Sequence, residues 1–160
     1  ENVSPDSVVE QLRETFREKI KTQLLSIQAF GKPLEDVVIM ASIVEKEASN
    51  MKDRKIIAGI LWKRLEIGMP LQVDAPFYYT LGKDSASITK SDLTTDTPYN
   101  TYTNKGLTPT AIGNPGLGAI EATVNPTKTD YLFYLSDRKG VTHYAVDHDG
   151  HVANKAKYLR

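Results

Sequence analysis

The chain has 160 residues, of which 40% are hydrophobic and 25% are charged, a composition typical of one folded globular domain and not of a disordered or fibrous chain. Twenty basic residues balance twenty acidic ones, so the charge gives no reason to expect nucleic acid or an anionic membrane as partner. The absence of cysteine excludes disulfides, thiolate nucleophiles and cysteine metal sites.

The first predicted element is a long helix. Ser4 can cap it, Pro5 is tolerated in its first turn, and Gly31 ends it. Apolar residues recur along it every three or four positions, a spacing that predicts one buried stripe. These residues are Val8, Leu12, Phe16, Ile20, Leu24 and Ile27.

Two further helices follow. One begins at Pro33, has acidic residues in its first turn and runs to about Ala48. It is apolar on most of its circumference, which predicts a position in the centre of the core. The next is predicted from about Asp53 to Ile67, with Gly68 as the stop.

The middle of the chain is rich in turn-forming residues. Asp74 is placed to cap a short helix over residues 75–81, and Thr89 with Asp92 forms a plausible capping box. Residues 94–116 are predicted to be an irregular loop, and loops of that length in a compact domain are usually functional.

The C-terminal part predicts a short helix over residues 117–124, a β-hairpin and a last helix over residues 151–159. The hairpin pairs residues 131–135 with residues 142–146 around a turn that contains Gly140. We therefore expect residues 1–160 to form a single domain of the α+β class, dominated by helices. Residues 1–33 would be its leading helix and connection.

Glu47 is the most informative polar residue. It lies one helical turn after Ile43 and Val44, so it continues an apolar stripe, whereas Glu45 lies toward a more polar edge. Burial raises the pKa of a carboxyl group, and a glutamate that stays protonated near neutral pH can act as a general acid.

Two other interpretations of this pattern stay open at this point. The helix could end here and leave both glutamates in solvent, since charges at helix ends are common. Alternatively, Lys46, Lys52 or Arg54 could neutralise a buried Glu47 as an ion pair, because buried charges are usually paired.

Four stretches resemble, in order and spacing, the YceG-like family of endolytic murein transglycosylases. They are Ala41-Ser-Ile-Val-Glu-Lys-Glu-Ala48, Leu65-Glu-Ile-Gly-Met-Pro-Leu-Gln-Val-Asp74, Tyr99-Asn-Thr-Tyr-Thr-Asn-Lys-Gly-Leu107 and Gly113-Asn-Pro-Gly116. The resemblance extends over about residues 34–160. It departs from the family pattern at Thr108-Pro-Thr-Ala-Ile112 and at Ala75-Pro76, and both departures fall outside the glutamate motif.

The resemblance implies a lyase that cuts the β-1,4 bond between N-acetylmuramic acid and N-acetylglucosamine within a glycan strand and leaves a 1,6-anhydro end. It implies a cleft of the lysozyme-like type, with the second glutamate of Glu-Lys-Glu, Glu47, as catalytic acid. It also implies a part in cell wall assembly and strand-length control, cell wall synthases as partners, and a longer protein anchored at the extracytoplasmic face of the cell membrane, of which this chain would be a soluble part.

Amide, hydroxyl and aromatic side chains suit the hydroxyls, N-acetyl groups and C–H faces of sugars. The candidates for substrate binding are Gln72, Asp74, Tyr99, Asn100, Thr101, Tyr102 and Asn114. Each also has an ordinary structural alternative, such as an Asx-turn, a helix cap or core burial. Trp62, Tyr78 and Tyr79 are interpreted as core residues.

No cofactor is expected, and the histidines and aspartates between Asp147 and His151 are interpreted as turn and cap residues because they lack the spacing of a metal site. Two functional alternatives stay open. One is a muramidase that uses water, and the other is a glycan-binding domain without catalytic activity.

Overall fold

The computed structural model describes residues 4–159, which contain eight α-helices and one two-stranded sheet. The helical first half consists of α1 (Pro5–Ile20), a single 3₁₀ turn (Lys21–Gln23), α2 (Leu24–Phe30), α3 (Leu34–Glu47) and α4 (Met51–Glu66). The second half consists of α5 (Ala75–Leu81), α6 (Lys90–Thr94), α7 (Leu117–Val124), β1 (Phe133–Ser136), β2 (Thr142–Ala145) and α8 (His148–Tyr158). The prediction of a helix-dominated α+β fold is confirmed.

The predicted first helix is divided, and its stripe is only partly buried. Ser4 accepts a hydrogen bond from the Ser7 main chain as the N-cap, and Gly31 ends α2 in the left-handed conformation, as predicted. Ile20 and Ile27 are buried against α3 and α7, but Leu12 is 65% exposed. The prediction of burial is therefore wrong for the early turns of α1, where Val8 is also exposed, because these turns extend beyond the cluster. It is also wrong for Leu24, the first residue of α2, which is 38% exposed.

Helix α3 is the centre of the core, as predicted. Its central turns bury Met40, Ile43 and Val44 against Ile57 and Leu61 of α4. Its opposite side packs on α2 and α7. The helix ends at Glu47, so the last residue of this central, largely apolar helix is an acid.

Helix α4 begins two residues before the predicted start. Asn50 is its N-cap and accepts a hydrogen bond from the Asp53 main chain. Gly59 lies against the Thr127 main chain so closely that an added Cβ atom would collide with the Thr127 carbonyl oxygen. Glycine is therefore needed where α4 meets the segment that leads to the hairpin.

The long loop of residues 95–116 has no helix or strand but is fixed to the helices. Ser42 of α3 accepts a hydrogen bond from the Ile112 main chain at 3.0 Å, and Ile112 itself is buried in the core. The Thr101 hydroxyl binds both the N–H and the carbonyl of Val73. The Ser42 bond holds the loop against α3, and the two Thr101 bonds hold it against the segment that precedes α5.

The hairpin forms as predicted, with shorter strands. β1 and β2 are antiparallel, and Tyr134 is paired with Tyr144 in the register. Helix α8 starts three residues before the predicted position because Asp147 caps it, accepting a hydrogen bond from the Gly150 main chain at 2.8 Å. In residues 4–159 no helix combines the length and the hydropathy needed to cross a bilayer.

Candidate active site

A cavity of about 950 Å³ lies between the end of α3, the segment that enters α5, strand β1 and helix α8. Glu47 lines it, together with Gln72, Asp74, Tyr102 and Tyr134. A cavity of this size is in the range of small-molecule and saccharide sites. The last residue of the apolar helix α3 is thus an acid that lies in the wall of this cavity.

The Glu47 side chain is half-buried in the cavity wall, and its carboxyl group accepts a hydrogen bond on Oε2 from the Tyr134 hydroxyl at 2.9 Å. Burial raises the pKa of this carboxyl from 4.5 to about 7. The negative charge of Asp74 acts in the same direction, whereas the Tyr134 hydroxyl, the Ala75 main-chain N–H and the Arg64 charge lower the pKa by smaller amounts. Near neutral pH this group can both hold and release a proton.

The structure answers the two other interpretations of the Glu-Lys-Glu segment. Helix α3 does end at Glu47, but the side chain lies in the cavity wall and not in open solvent. Arg54 pairs with Glu45 at 2.9 Å and donates to the Ala48 carbonyl at 2.8 Å. Glu45 is therefore the paired acid, and it also accepts a hydrogen bond from the Gly116 main chain.

Arg64 is a buried cation whose positive charge lowers the pKa of Glu47. The sequence pattern did not indicate it. Its guanidinium group donates to the main-chain oxygen of Leu132 at 2.7 Å and of Leu71 at 2.5 Å. It also lies 5.1 Å from the centroid of the Phe133 ring. Arg64 thus joins α4 to both walls of the cavity, through the segment before α5 and through the start of the hairpin.

Gln72, Asp74 and Tyr102 are the predicted substrate-binding residues that line the cavity. Asp74 occupies the N-cap position of α5, but its side chain makes no capping bond, so the predicted capping role is wrong. Its Oδ1 accepts a hydrogen bond from the Tyr102 hydroxyl at 2.6 Å instead. Gln72 is the one non-glycine residue among residues 4–159 with a positive φ, +50°.

The other predicted residues do not line this cavity. The Asn100 amide nitrogen donates to the main-chain oxygens of residues 92, 93 and 95, and Asn100 is 1% exposed. Thr101 is buried on Val73 as described above. The Tyr99 hydroxyl is hydrogen-bonded to Thr110. Asn114 is exposed.

Several cavity residues were not singled out by the sequence. Tyr134 and Arg64 are brought to Glu47 only by tertiary packing. The interpretation of Tyr78 and Tyr79 as core residues is wrong: Tyr78 is 62% exposed at the cavity, and Tyr79 is 51% exposed. Trp62 is buried and donates to the Thr123 carbonyl, as expected of a core residue. From α8, His148, His151 and Lys155 complete the wall.

The described residues contain no group of three or more histidine, aspartate or glutamate side chains arranged to hold a metal ion. Asp147 is occupied as the cap of α8, and His143 is hydrogen-bonded to Asp137 at 3.0 Å.

Comparison with known proteins gives consistent matches. The model of the YceG-like family matches residues 1–157, which include the leading segment that none of the quoted motifs covers. An endolytic murein transglycosylase of Bacillus subtilis (strain 168) is 37% identical over 146 residues, which are 91% of this chain and 39% of that protein. One of Streptococcus pneumoniae (strain D39) is 32% identical over 165 residues, 99% of this chain and 30% of that protein.

A solved structure is also similar. The crystal structure of a YceG-like protein from Listeria monocytogenes superposes with a TM-score of 0.88 at 33% identity, over 96% of this chain and 50% of that one. The chain therefore spans well under half the length of the curated relatives that it matches and half of the solved chain.

Proposed function

The chain belongs to the YceG-like family, and we propose that it is the glycan-cutting domain of an endolytic murein transglycosylase in which Glu47 is the general acid and the general base. The observation that carries the proposal is the state of one carboxyl group. Glu47 is half-buried in the wall of a cavity of about 950 Å³, and desolvation raises the pKa of its carboxyl group to about 7.

A carboxyl group with this pKa can perform both halves of the reaction. Protonated Glu47 gives its proton to the glycosidic oxygen as the bond from C1 of N-acetylmuramic acid breaks, and C1 becomes an oxocarbenium-like centre. The C6 hydroxyl of the same sugar then attacks C1, and the Glu47 carboxylate accepts the hydroxyl proton. The acid is regenerated, the product carries a 1,6-anhydro ring, and no water is consumed.

The intramolecular attack explains why one carboxyl group is sufficient. A hydrolytic glycosidase commonly uses two carboxyl groups, because water or an enzyme nucleophile must be activated on the opposite face of the sugar. Here the C6 hydroxyl is already attached to the reacting sugar, so proximity replaces a separate nucleophile. The role of the protein is to hold that hydroxyl near C1 and near Glu47.

For the sugar contacts we propose Gln72, Asp74 and Tyr102, which lie in the same cavity wall as Glu47. The exposed Tyr78 ring offers an additional apolar face. The cavity would then serve as a cleft of the lysozyme-like type. Because Asn100 and Thr101 use their polar groups on the protein main chain, we propose that they shape the loop and do not contact the glycan.

One observation favours a hydrolytic muramidase as the second candidate. Asp74 lines the same cavity as Glu47 and is close enough to raise its pKa, so it is a carboxylate that could activate water. Its Oδ1 is already engaged by the Tyr102 hydroxyl at 2.6 Å, which leaves less of the carboxylate available to a water molecule and favours the lyase. A glycan-binding domain without activity is the third candidate, and the raised pKa of Glu47 argues against it.

For the whole protein, the family suggests an enzyme held at the extracytoplasmic face of the cell membrane that limits the length of growing glycan strands, with cell wall synthases as partners. The chain spans 39% of the Bacillus subtilis relative, so these features of the whole protein are proposals.

The test is mass spectrometry of the products formed from purified uncrosslinked glycan strands. Wild type should give internal cuts with 1,6-anhydro ends, whereas hydrolysis would add the mass of one water. Glu47→Gln should lower the rate about 10²- to 10⁴-fold. Glu45→Gln is the matched control, and we expect it to keep most of the activity. Cutting by Glu47→Gln at the wild-type rate would exclude Glu47 as the acid.

A further inference from the structure

The hydroxyl group of Tyr134 is the one side-chain hydrogen-bond donor to Glu47 within the described chain. It lies 2.9 Å from Glu47 Oε2, and the two residues are 87 positions apart in the sequence. Burial, followed by the negative charge of Glu47, raises the pKa of Tyr134 well above 10, so the hydroxyl keeps its proton throughout the physiological range. Tyr134 therefore donates to the carboxyl group and never competes with it as a base.

We infer that Tyr134 is the positioning residue of the proposed reaction: it fixes the Glu47 carboxyl group by holding Oε2 and leaves Oε1 as the oxygen that carries the transferable proton. The inference rests on the proposed function. Without this bond only the smaller contribution of the Ala75 main-chain N–H would remain. The carboxyl group would then be freer to rotate, and only some orientations would point a proton at the glycosidic oxygen.

The same bond favours the step in which Glu47 loses its proton. A hydroxyl donates a stronger hydrogen bond to a carboxylate than to a neutral carboxylic acid, because the acceptor is then charged. The bond strengthens as the proton moves to the leaving oxygen, so it stabilises the transition state more than the starting state. It also opposes the effect of burial, and it is the largest of the contributions that lower the pKa of Glu47.

The fold holds Tyr134 through its strand partner. Tyr144 is opposite Tyr134 in the hairpin register, and its hydroxyl donates to Asp53 Oδ1 at 2.6 Å. Two neighbouring tyrosines thus attach the hairpin to two helices: Tyr134 to the last residue of α3 and Tyr144 to the first turn of α4. Arg64 adds a third attachment at the Leu132 carbonyl.

This arrangement provides a matched pair of variants. Tyr134→Phe and Tyr144→Phe each remove one hydroxyl from the same hairpin, and each removes one hydrogen bond to a carboxylate. Only Tyr134→Phe removes the bond to Glu47. A purely structural role predicts similar results for the two variants, whereas a positioning role predicts a change in the titration of Glu47 for one of them.

The first measurement is a ¹³C NMR titration of the Glu47 side chain, which needs no substrate. Tyr134→Phe should raise the Glu47 midpoint by about one pH unit, because a donor to the charged form is lost. Tyr144→Phe should leave it unchanged while lowering thermal stability. Equal midpoints in wild type and Tyr134→Phe would overturn the inference, whether or not the protein cuts glycan.

The second measurement is kinetic. With Tyr134→Phe we expect kcat to fall about 10- to 100-fold with little change in KM, and the alkaline limb of the pH profile to move upward. A rise in KM at constant kcat would make Tyr134 a sugar contact and overturn the positioning role. An inactive wild type would refute the proposed function instead. The NMR titration would still show whether the Tyr134 hydroxyl donates a hydrogen bond to the Glu47 carboxylate.

Discussion

Glu47 and Arg64 line the same cavity, yet they form no ion pair: the Arg64 guanidinium group donates to the main-chain oxygens of Leu71 and Leu132. Arg64 still lowers the pKa of Glu47, but its effect ranks last among the causes, well behind burial. A direct ion pair would hold Glu47 ionised at neutral pH and unable to give a proton. Because Arg64 donates its hydrogen bonds to main-chain oxygens, Glu47 can stay protonated and serve as an acid.

The pH dependence of the reaction follows from the protonation of Glu47. Its pKa is about 7, so the acid form predominates below that pH and is lost as the pH rises through it. We expect kcat to fall about tenfold for each pH unit above roughly 7.5, as the protonated fraction falls. The measurement is the rate on glycan strands from pH 5 to pH 9. A rate that still rises beyond pH 8 would contradict the assignment.

Glu47→Gln should stabilise the fold at neutral and alkaline pH. The folded-state pKa is raised, so the folded protein binds more protons than the unfolded chain between pH 4.5 and 7, and wild-type stability falls across that window. The loss approaches about 3 kcal/mol above pH 7, and glutamine avoids it.

Urea unfolding at pH 5 and pH 8 measures this difference. Wild type should lose stability from the lower to the higher pH, whereas Glu47→Gln should change much less. Glu45→Gln is the contrasting variant, because it breaks the pair with Arg54 and should lower stability by up to about 1 kcal/mol. Parallel pH profiles for wild type and Glu47→Gln would show that the Glu47 carboxyl is not desolvated.

Asn100→Ala should lower the free energy of unfolding. The amide of Asn100 is buried and bonded to three main-chain oxygens, and its Oδ1 accepts a hydrogen bond from the Tyr102 main chain at 2.9 Å. Removing it leaves these groups unsatisfied, which should cost about 1 to 3 kcal/mol. Asn114→Ala, at an exposed position, should change the free energy of unfolding by less than about 0.5 kcal/mol. Weaker glycan binding by a fully stable Asn100→Ala would favour a direct contact.

Two variants of Gln72 can separate the effect of backbone strain on stability from the effect of a lost substrate contact on KM. Its φ of +50° is unfavourable for a residue with a Cβ atom, and such strain is often found at functional sites. Gln72→Gly should raise stability by about 1 kcal/mol, whereas Gln72→Ala keeps the strain and should not. Both variants lack the amide, so both should raise KM for glycan. If alanine proved the more stable of the two, backbone strain at this position would be excluded.

The parts of the fold that depend on local sequence were predictable. The start of α1 at Ser4 and the end of α2 at Gly31 follow from capping residues, and α3 follows from its apolar circumference. Glu47 could be selected because a helix fixes the faces of its residues over two turns. The exposure of Leu12 could not be predicted, since the pattern shows an apolar face but not whether another element covers it.

The surroundings of Glu47 depend on contacts distant in sequence. The Tyr134 bond spans 87 positions and the Tyr102 bond to Asp74 spans 28, so neither leaves a local signal. Polar residues in the loop also look alike in sequence. Asn100 and Asn114 suit a glycan equally well by chemistry, and only the fold shows that one is committed to the main chain while the other is exposed.

The position of Glu47 as the final residue of α3 has a consequence for the robustness of its acidity. The unpaired carbonyl groups at a helix C-terminus carry partial negative charge and disfavour a neighbouring carboxylate. The C-terminal carbonyl groups of α3 thus oppose ionisation alongside burial, whereas the Ala75 main-chain N–H favours it. Because the contribution of these carbonyl groups comes from peptide dipoles, it persists when nearby side chains are substituted. Such variants should therefore keep part of the rise in the pKa of Glu47.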